Sequence, residues 1–119
     1  MRLFQEMAPK IASLQVADGT WHSNLLDPES TPHPETSGTG FYIYALAWGV
    51  NNGLLDRATY EPVIAKGWSA LVRAVHPNGM LGNVQKIGDQ PENTSADDTE
   101  IYGTGALLLA GSEVARLDR

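Results

Sequence analysis

The chain has 119 residues, with 42% hydrophobic and 18% charged side chains, which is the make-up of a folded domain with a real core and not of a disordered tail. Its formal net charge of -6 excludes nucleic acid or an anionic membrane as main partner, because both need basic patches. It has no cysteine, so neither a disulfide nor a thiolate metal site is available.

The first predicted element is a helix over about residues 1–16. Leu3, Met7, Ile11 and Leu14 recur at spacings of three and four and make one apolar stripe, which Pro9 interrupts. A long loop follows, over about residues 17–35, opening on the turn signal Asp18-Gly19. It carries Trp21 beside His22, an aromatic platform next to a titratable donor. Such a pair suits a sugar, whose C–H face stacks on a ring while its hydroxyls take polar partners. The plainer reading makes Trp21 a plug between helices and His22 an exposed side chain.

The second helix spans about residues 36–50. Phe41 through Trp48 are apolar on every side, as in a helix buried all round. Asn51-Asn52-Gly53 ends it with residues that tolerate left-handed backbone. The third helix covers about residues 59–76, with Tyr60, Ile64, Trp68, Leu71 and Val75 in one stripe and Pro62 near its start. A second long loop, over about residues 77–99, leads to a fourth helix over about residues 100–117, apolar all round at Ala106 through Ala110.

The pattern repeats. Asp18-Gly19 matches Asn78-Gly79, 60 positions later, and Glu35-Thr36-Ser37-Gly38-Thr39-Gly40 matches Glu100-Ile101-Tyr102-Gly103-Thr104-Gly105, 65 positions later. Repeats at this period mean stacked helical hairpins. One-sided helices belong on an outer, wet ring and all-round apolar helices on an inner one. The fold class is therefore all-α: two hairpins of an α/α toroid, an incomplete ring in a single segment, 1–119. Both long loops fall on the face that holds the inner-helix N-termini. That face suits a ligand with oxygens or a carboxylate.

Glu35 stands just before an inner helix, either as a cap or as an acceptor for sugar hydroxyls; its counterpart Glu100 reads as a cap. Asp97-Asp98 are paired carboxylates that could do acid/base work if one were held protonated, although acids in a loop are more often solvated. His22, His33 and His76 lack the spacing of a metal site. No phosphate loop, nucleophile elbow or dinucleotide fingerprint occurs. Asn93-Thr94-Ser95 fits a glycosylation sequon and reads as a polar loop. The opening Met1-Arg2-Leu3-Phe4-Gln5-Glu6 does not read as a secretion signal, and no apolar run is long enough to span a membrane, so the expected location is cytoplasmic.

Three separated stretches resemble glycoside hydrolase family 105: Asp18-Gly19-Thr20-Trp21 through Leu26-Asp27-Pro28, Glu35 through Leu55, and Tyr102 through Val114. The resemblance covers essentially the whole chain and is to the C-terminal part of such proteins. It implies an (α/α)6 barrel and an unsaturated glucuronyl or rhamnogalacturonyl hydrolase, which frees an unsaturated uronic acid from lyase-generated oligosaccharides without a metal or organic cofactor. In that chemistry an Asp protonates C4 of the enol ether, water adds at C5, and the hemiketal opens to expel the aglycone. The family's Asp and its Trp-Gly-Arg-Gly-Asn-Gly-Trp segment have no counterpart here, so no catalytic residue is carried over. The resemblance implies a substrate-binding rim of Trp21, His22, Glu35, Thr36 and Ser37. The alternative is a non-catalytic helical module that oligomerises through its open flanks. A further one gives the acid/base role to Asp97 or Asp98. The expected partners are an unsaturated uronate-terminated oligosaccharide and either further copies of the chain or a missing N-terminal part.

Overall fold

The computed structural model describes residues 2–117. It contains four α-helices: α1 (Arg2–Ser13), α2 (Thr36–Asn51), α3 (Arg57–Arg73) and α4 (Ile101–Leu117), with one turn of 3-10 helix at Pro28–Ser30. Among the described residues there is no strand, only two isolated bridges, Trp21 with Glu35 and Val75 with Leu81. The fold is all-helical, as the patterning implies. Met1, in the first predicted helix, lies outside the described residues.

Three helix bounds differ from those expected, one of them the end of α3, at Arg73 and not near residue 76. Helix α1 stops at Ser13, where Leu14 and Gln15 turn back onto Ile11 and Ala12. Helix α3 starts at Arg57 and not near residue 59 because Asp56 caps it: its carboxylate accepts from the Thr59 backbone at 2.8 Å and from the Thr59 hydroxyl at 2.6 Å. That carboxylate is held below its ordinary range by the two Thr59 hydrogen bonds.

Helix α2 is the centre of the core. Ile43, Leu46 and Ala47 are buried, and Phe4, Ala8 and Ile11 of α1, Tyr60, Ile64 and Leu71 of α3, and Ala110 and Leu117 of α4 belong to the same cluster. The α2–α4 contact is close because Gly40 faces Ala106. A Cβ added at Gly40 would stand 2.9 Å from the Ala106 Cβ and 3.0 Å from its carbonyl carbon. A glycine that weakens a helix here allows two helices to touch.

The repeat is visible at atomic detail in the turns after α1 and α3. Gly19 and Gly79 take left-handed φ of 92° and 89°. Asp18 Oδ1 accepts from the Thr20 N–H at 2.8 Å, and Asn78 Oδ1 accepts from the Met80 N–H at 3.0 Å. In both, an Asx side chain and a glycine close the same bend, which sends each long loop towards the N-terminus of the next helix.

Candidate functional site

The first loop folds onto the start of α2. Trp21 is 1% exposed; its indole N–H donates to the Ile11 carbonyl at 2.8 Å, and its ring packs on Tyr42 with centroids 5.3 Å apart. No face of the ring is open to a sugar, which corrects the expectation of a stacking platform. The reason is the indole N–H: when buried it needs an acceptor, and the last turn of α1 supplies one.

His22 is also buried. Its Nε2 meets Asp18 Oδ2 at 2.8 Å and its Nδ1 faces the Pro28 carbonyl at 3.3 Å, so both nitrogens are engaged within the loop. Burial pushes the Asp18 carboxyl up, but hydrogen bonds from the Thr20 hydroxyl, His22 and the Thr20 backbone outweigh it and hold the group below its ordinary value. With the folded value below the unfolded one, this stabilisation is complete above about pH 4 and is lost as pH falls through the folded value. Thermal melts of Asp18→Asn should therefore fall off less steeply than the parent between about pH 4 and pH 2. Parallel curves would show that the Asp18 bonds carry no net stability.

Glu35 is 2% exposed and fully bonded. Its Oε1 accepts from the Ser37 backbone at 3.0 Å, the Ser37 hydroxyl at 2.7 Å and the Gln85 backbone at 3.1 Å. Its Oε2 accepts from the Gly38 backbone at 2.7 Å. The carboxylate caps α2 and ties it to the second loop. Burial raises the Tyr42 hydroxyl, and the Glu35 charge raises it further. Thr36 is buried and donates its hydroxyl to the Gly82 carbonyl at 2.7 Å. Of the five expected rim residues, Ser37 lines a cleft.

That cleft, of about 440 Å³, lies at the N-terminal ends of α2 and α4 and is lined by Ser23, Ser37, Tyr102 and residues 85–91. Tyr102 donates its hydroxyl to the Gln85 carbonyl, which holds one wall of the cleft. Lys86 is the cation of the lining and is exposed, with no ion pair among the described residues. The Ser23 hydroxyl is buried there without a hydrogen-bond partner. Sequence reasoning missed Ser23, Gln85 and Lys86. Their only signal was that they lie in two glycine- and proline-bearing loops, which says that the loops exist but not where they fold. Asp98 accepts from the Ser95 backbone at 2.8 Å and Asp97 is exposed, so the pair closes a turn outside the cleft lining. His33 and His76 each bond a loop carbonyl, at Thr94 and Ala96.

Residues 1–118 match the family model for Glycosyl Hydrolase Family 88. The chain belongs to glycosyl hydrolase family 88. It is 55% identical over 116 residues to an unsaturated 3S-rhamnoglycuronyl hydrolase of Formosa agariphila, covering 98% of this chain and 31% of the relative. It is 44% identical over 114 residues to an enzyme of the same description from Alteromonas sp., covering 96% and 28%. The chain thus spans under a third of the length of the curated relatives it matches. Among solved structures, a family 88 glycosyl hydrolase from Bacteroides vulgatus superposes with a TM-score of 0.89 at 40% identity, over 94% of this chain and 33% of that one. A structure described as a polysaccharide lyase superposes at 0.87 and 43% identity, over 93% and 32%. A possible family 105 member from Salmonella enterica superposes at 0.81 with 23% identity over 94% and 30%, a likeness of fold. This family 88 chain is accordingly a partial (α/α)6 barrel.

Proposed function

We propose that this chain is the C-terminal segment of a hydrolase that releases unsaturated uronic acid from lyase-generated oligosaccharides by enol-ether hydration, and that it supplies one rim of the sugar site. The observation that carries the reading is the cleft. It lies where two helix N-termini converge, it is walled by a loop of 85–91, and it offers hydroxyls, an amide and the Lys86 ammonium. Those groups suit a sugar that carries a carboxylate. Ser37 is the rim residue that meets the saccharide. His22, Glu35 and Thr36 are positioning residues, holding the loops that shape the cleft, and Trp21 locks the first loop to α1. The matched relatives' names, unsaturated 3S-rhamnoglycuronyl hydrolase, give the substrate class. A cytoplasmic location is part of the proposal and is compatible with a chain that has no cysteine.

The acid that protonates C4 comes from outside this segment. The carboxylate in the cleft lining, Asp89, stands on an exposed stretch of the loop, where nothing holds it at a fixed distance from a bound sugar. The test is an absorbance assay on an unsaturated rhamnoglycuronyl disaccharide. The purified 119-residue chain should leave the enol-ether band unchanged, whereas a chimera in which it replaces the matching segment of the Formosa agariphila relative should bleach it. Turnover by the chain alone would place the acid within these residues. An increase in absorbance on the polymer would identify a lyase instead.

A further inference from the structure

The third residue of the Glu-x-x-Gly-Thr-Gly start does different work on the two inner helices. On α2 it is Ser37, whose hydroxyl donates to the Glu35 carboxylate of its own helix at 2.7 Å. On α4 it is Tyr102, 65 positions later. The Tyr102 hydroxyl does not serve Glu100, whose side chain makes no hydrogen bond among the described residues, and donates instead to the Gln85 carbonyl of the second loop. Gly103, the next residue, receives Val84, which is buried: a Cβ built on Gly103 would stand 2.5 Å from Val84 Cγ2. Two successive residues of α4 thus hold two successive residues of the loop.

Gln85 is gripped from both inner helices. Its N–H donates to Glu35 Oε1 at 3.1 Å, at the start of α2, and its carbonyl accepts from Tyr102, at the start of α4. The N–H belongs to the peptide plane before Gln85 and the carbonyl to the plane after it. Each plane is rigid, so holding both fixes the two backbone dihedrals of Gln85 and sets the direction in which the chain leaves for Lys86. Tyr102 is the last tie on that path. Residues 86–92 make no hydrogen bond among the described residues, and the next tie is the Asn93 side chain, which accepts from the His33 N–H at 3.0 Å. Burial, together with the charges of Glu100 and Glu35, holds the Tyr102 hydroxyl above its ordinary value, so it stays a donor at neutral pH. We propose that Tyr102 is a positioning residue of the saccharide site, fixing the Gln85 carbonyl so that the loop delivers Lys86 to the cleft. Tyr102 acts on a bound sugar through that lysine and not by a contact of its own. What Lys86 meets, a sugar that carries a carboxylate, rests on the proposed function.

The test is a double-mutant cycle in the Formosa agariphila chimera, backed by amide NMR spectra of the 119-residue chain. Tyr102→Phe in the chimera should raise KM about fivefold and change kcat less than about twofold, because binding common to ground and transition states is what weakens. Lys86→Met should raise KM at least as much. Adding Tyr102→Phe to Lys86→Met should then change KM by less than about 1.5-fold, since two residues acting through one contact do not add. Equal increments in both backgrounds would mean that Tyr102 touches the sugar itself or merely supports the fold, and would overturn the inference. An unchanged KM for Tyr102→Phe would overturn it too. In the 119-residue chain Tyr102→Phe should move the Lys86 amide signal, because that N–H shares a peptide group with the carbonyl that loses its donor; an unmoved signal counts against the inference in the same way. A folded chimera that leaves the enol ether intact would sink the proposed function instead, and the Lys86 amide would still decide whether Tyr102 aims the lysine.

Discussion

Glu35→Ala should lower the unfolding free energy by about 3 kcal/mol, since it removes a helix cap and leaves buried donors without acceptors. The donors are the backbone N–H groups of Ser37, Gly38 and Gln85, together with the Ser37 hydroxyl. Two belong to the first turn of α2, where a negative charge also complements the helix dipole. The third belongs to the second loop, so the cleft wall should loosen with the helix end. Hydrogen exchange should show faster exchange at Gln85 as well as at Ser37 and Gly38. Glu35→Gln should cost less, because one acceptor oxygen remains. Glu100→Ala, at the repeat equivalent, should cost under about 0.5 kcal/mol, as an ordinary surface change does: Glu100 makes no side-chain hydrogen bond among the described residues. Denaturant midpoints for the three variants check the order, and equal losses at Glu35 and Glu100 would remove the argument that the Glu35 network holds the site.

Gly40→Ala is the second large effect, and its sign opposes ordinary helix propensity. Alanine in a helix is favoured over glycine by about 1 kcal/mol, but here its Cβ would stand 2.9, 3.0 and 3.1 Å from the Cβ, carbonyl carbon and carbonyl oxygen of Ala106. Two of these atoms are backbone and cannot turn aside. Helix α4 must move bodily, and overpacking of this kind costs about 1–3 kcal/mol, so the net loss after the propensity gain should be about 1 kcal/mol. A melt that shifts upward would show that the helices separate freely. Because α2 and α4 present their N-termini to the same cleft, the displacement should also widen it.

The architecture was legible because its signals are local. Stripes at helical spacing, glycine turns and the doubled Glu-x-x-Gly-Thr-Gly start all sit within a few residues of what they specify. The Asp56 cap of α3 was equally local, with Thr59 three positions on, and was simply unread. The site was less legible, because its contacts join residues far apart in sequence. Nothing near Glu35 announces that Gln85, 50 positions away, will donate to it. Nothing near Trp21 says whether its indole will find Ile11 or a ligand. Residue types suited to sugar binding are the same types that satisfy buried loops, and burial decides between the two uses. The family resemblance points to the first loop and the start of α2, and geometry alone separates Ser37, on the cleft, from the four residues beneath it.

The second loop is fastened at two places and loose between them. Asn83 and Val84 donate to the carbonyls of Ser95 and Asp98, both at 3.0 Å, and Thr94 donates its hydroxyl to the Pro34 carbonyl at 2.6 Å. The exposed stretch 86–93 hangs from these clasps and includes much of the cleft wall. Lineages can therefore lengthen, shorten or rewrite that stretch without disturbing a helix, since each doubling of a loop's length costs only about 0.6 kcal/mol. Insertions there would reshape the cleft while leaving the clasps and the caps beneath them in place.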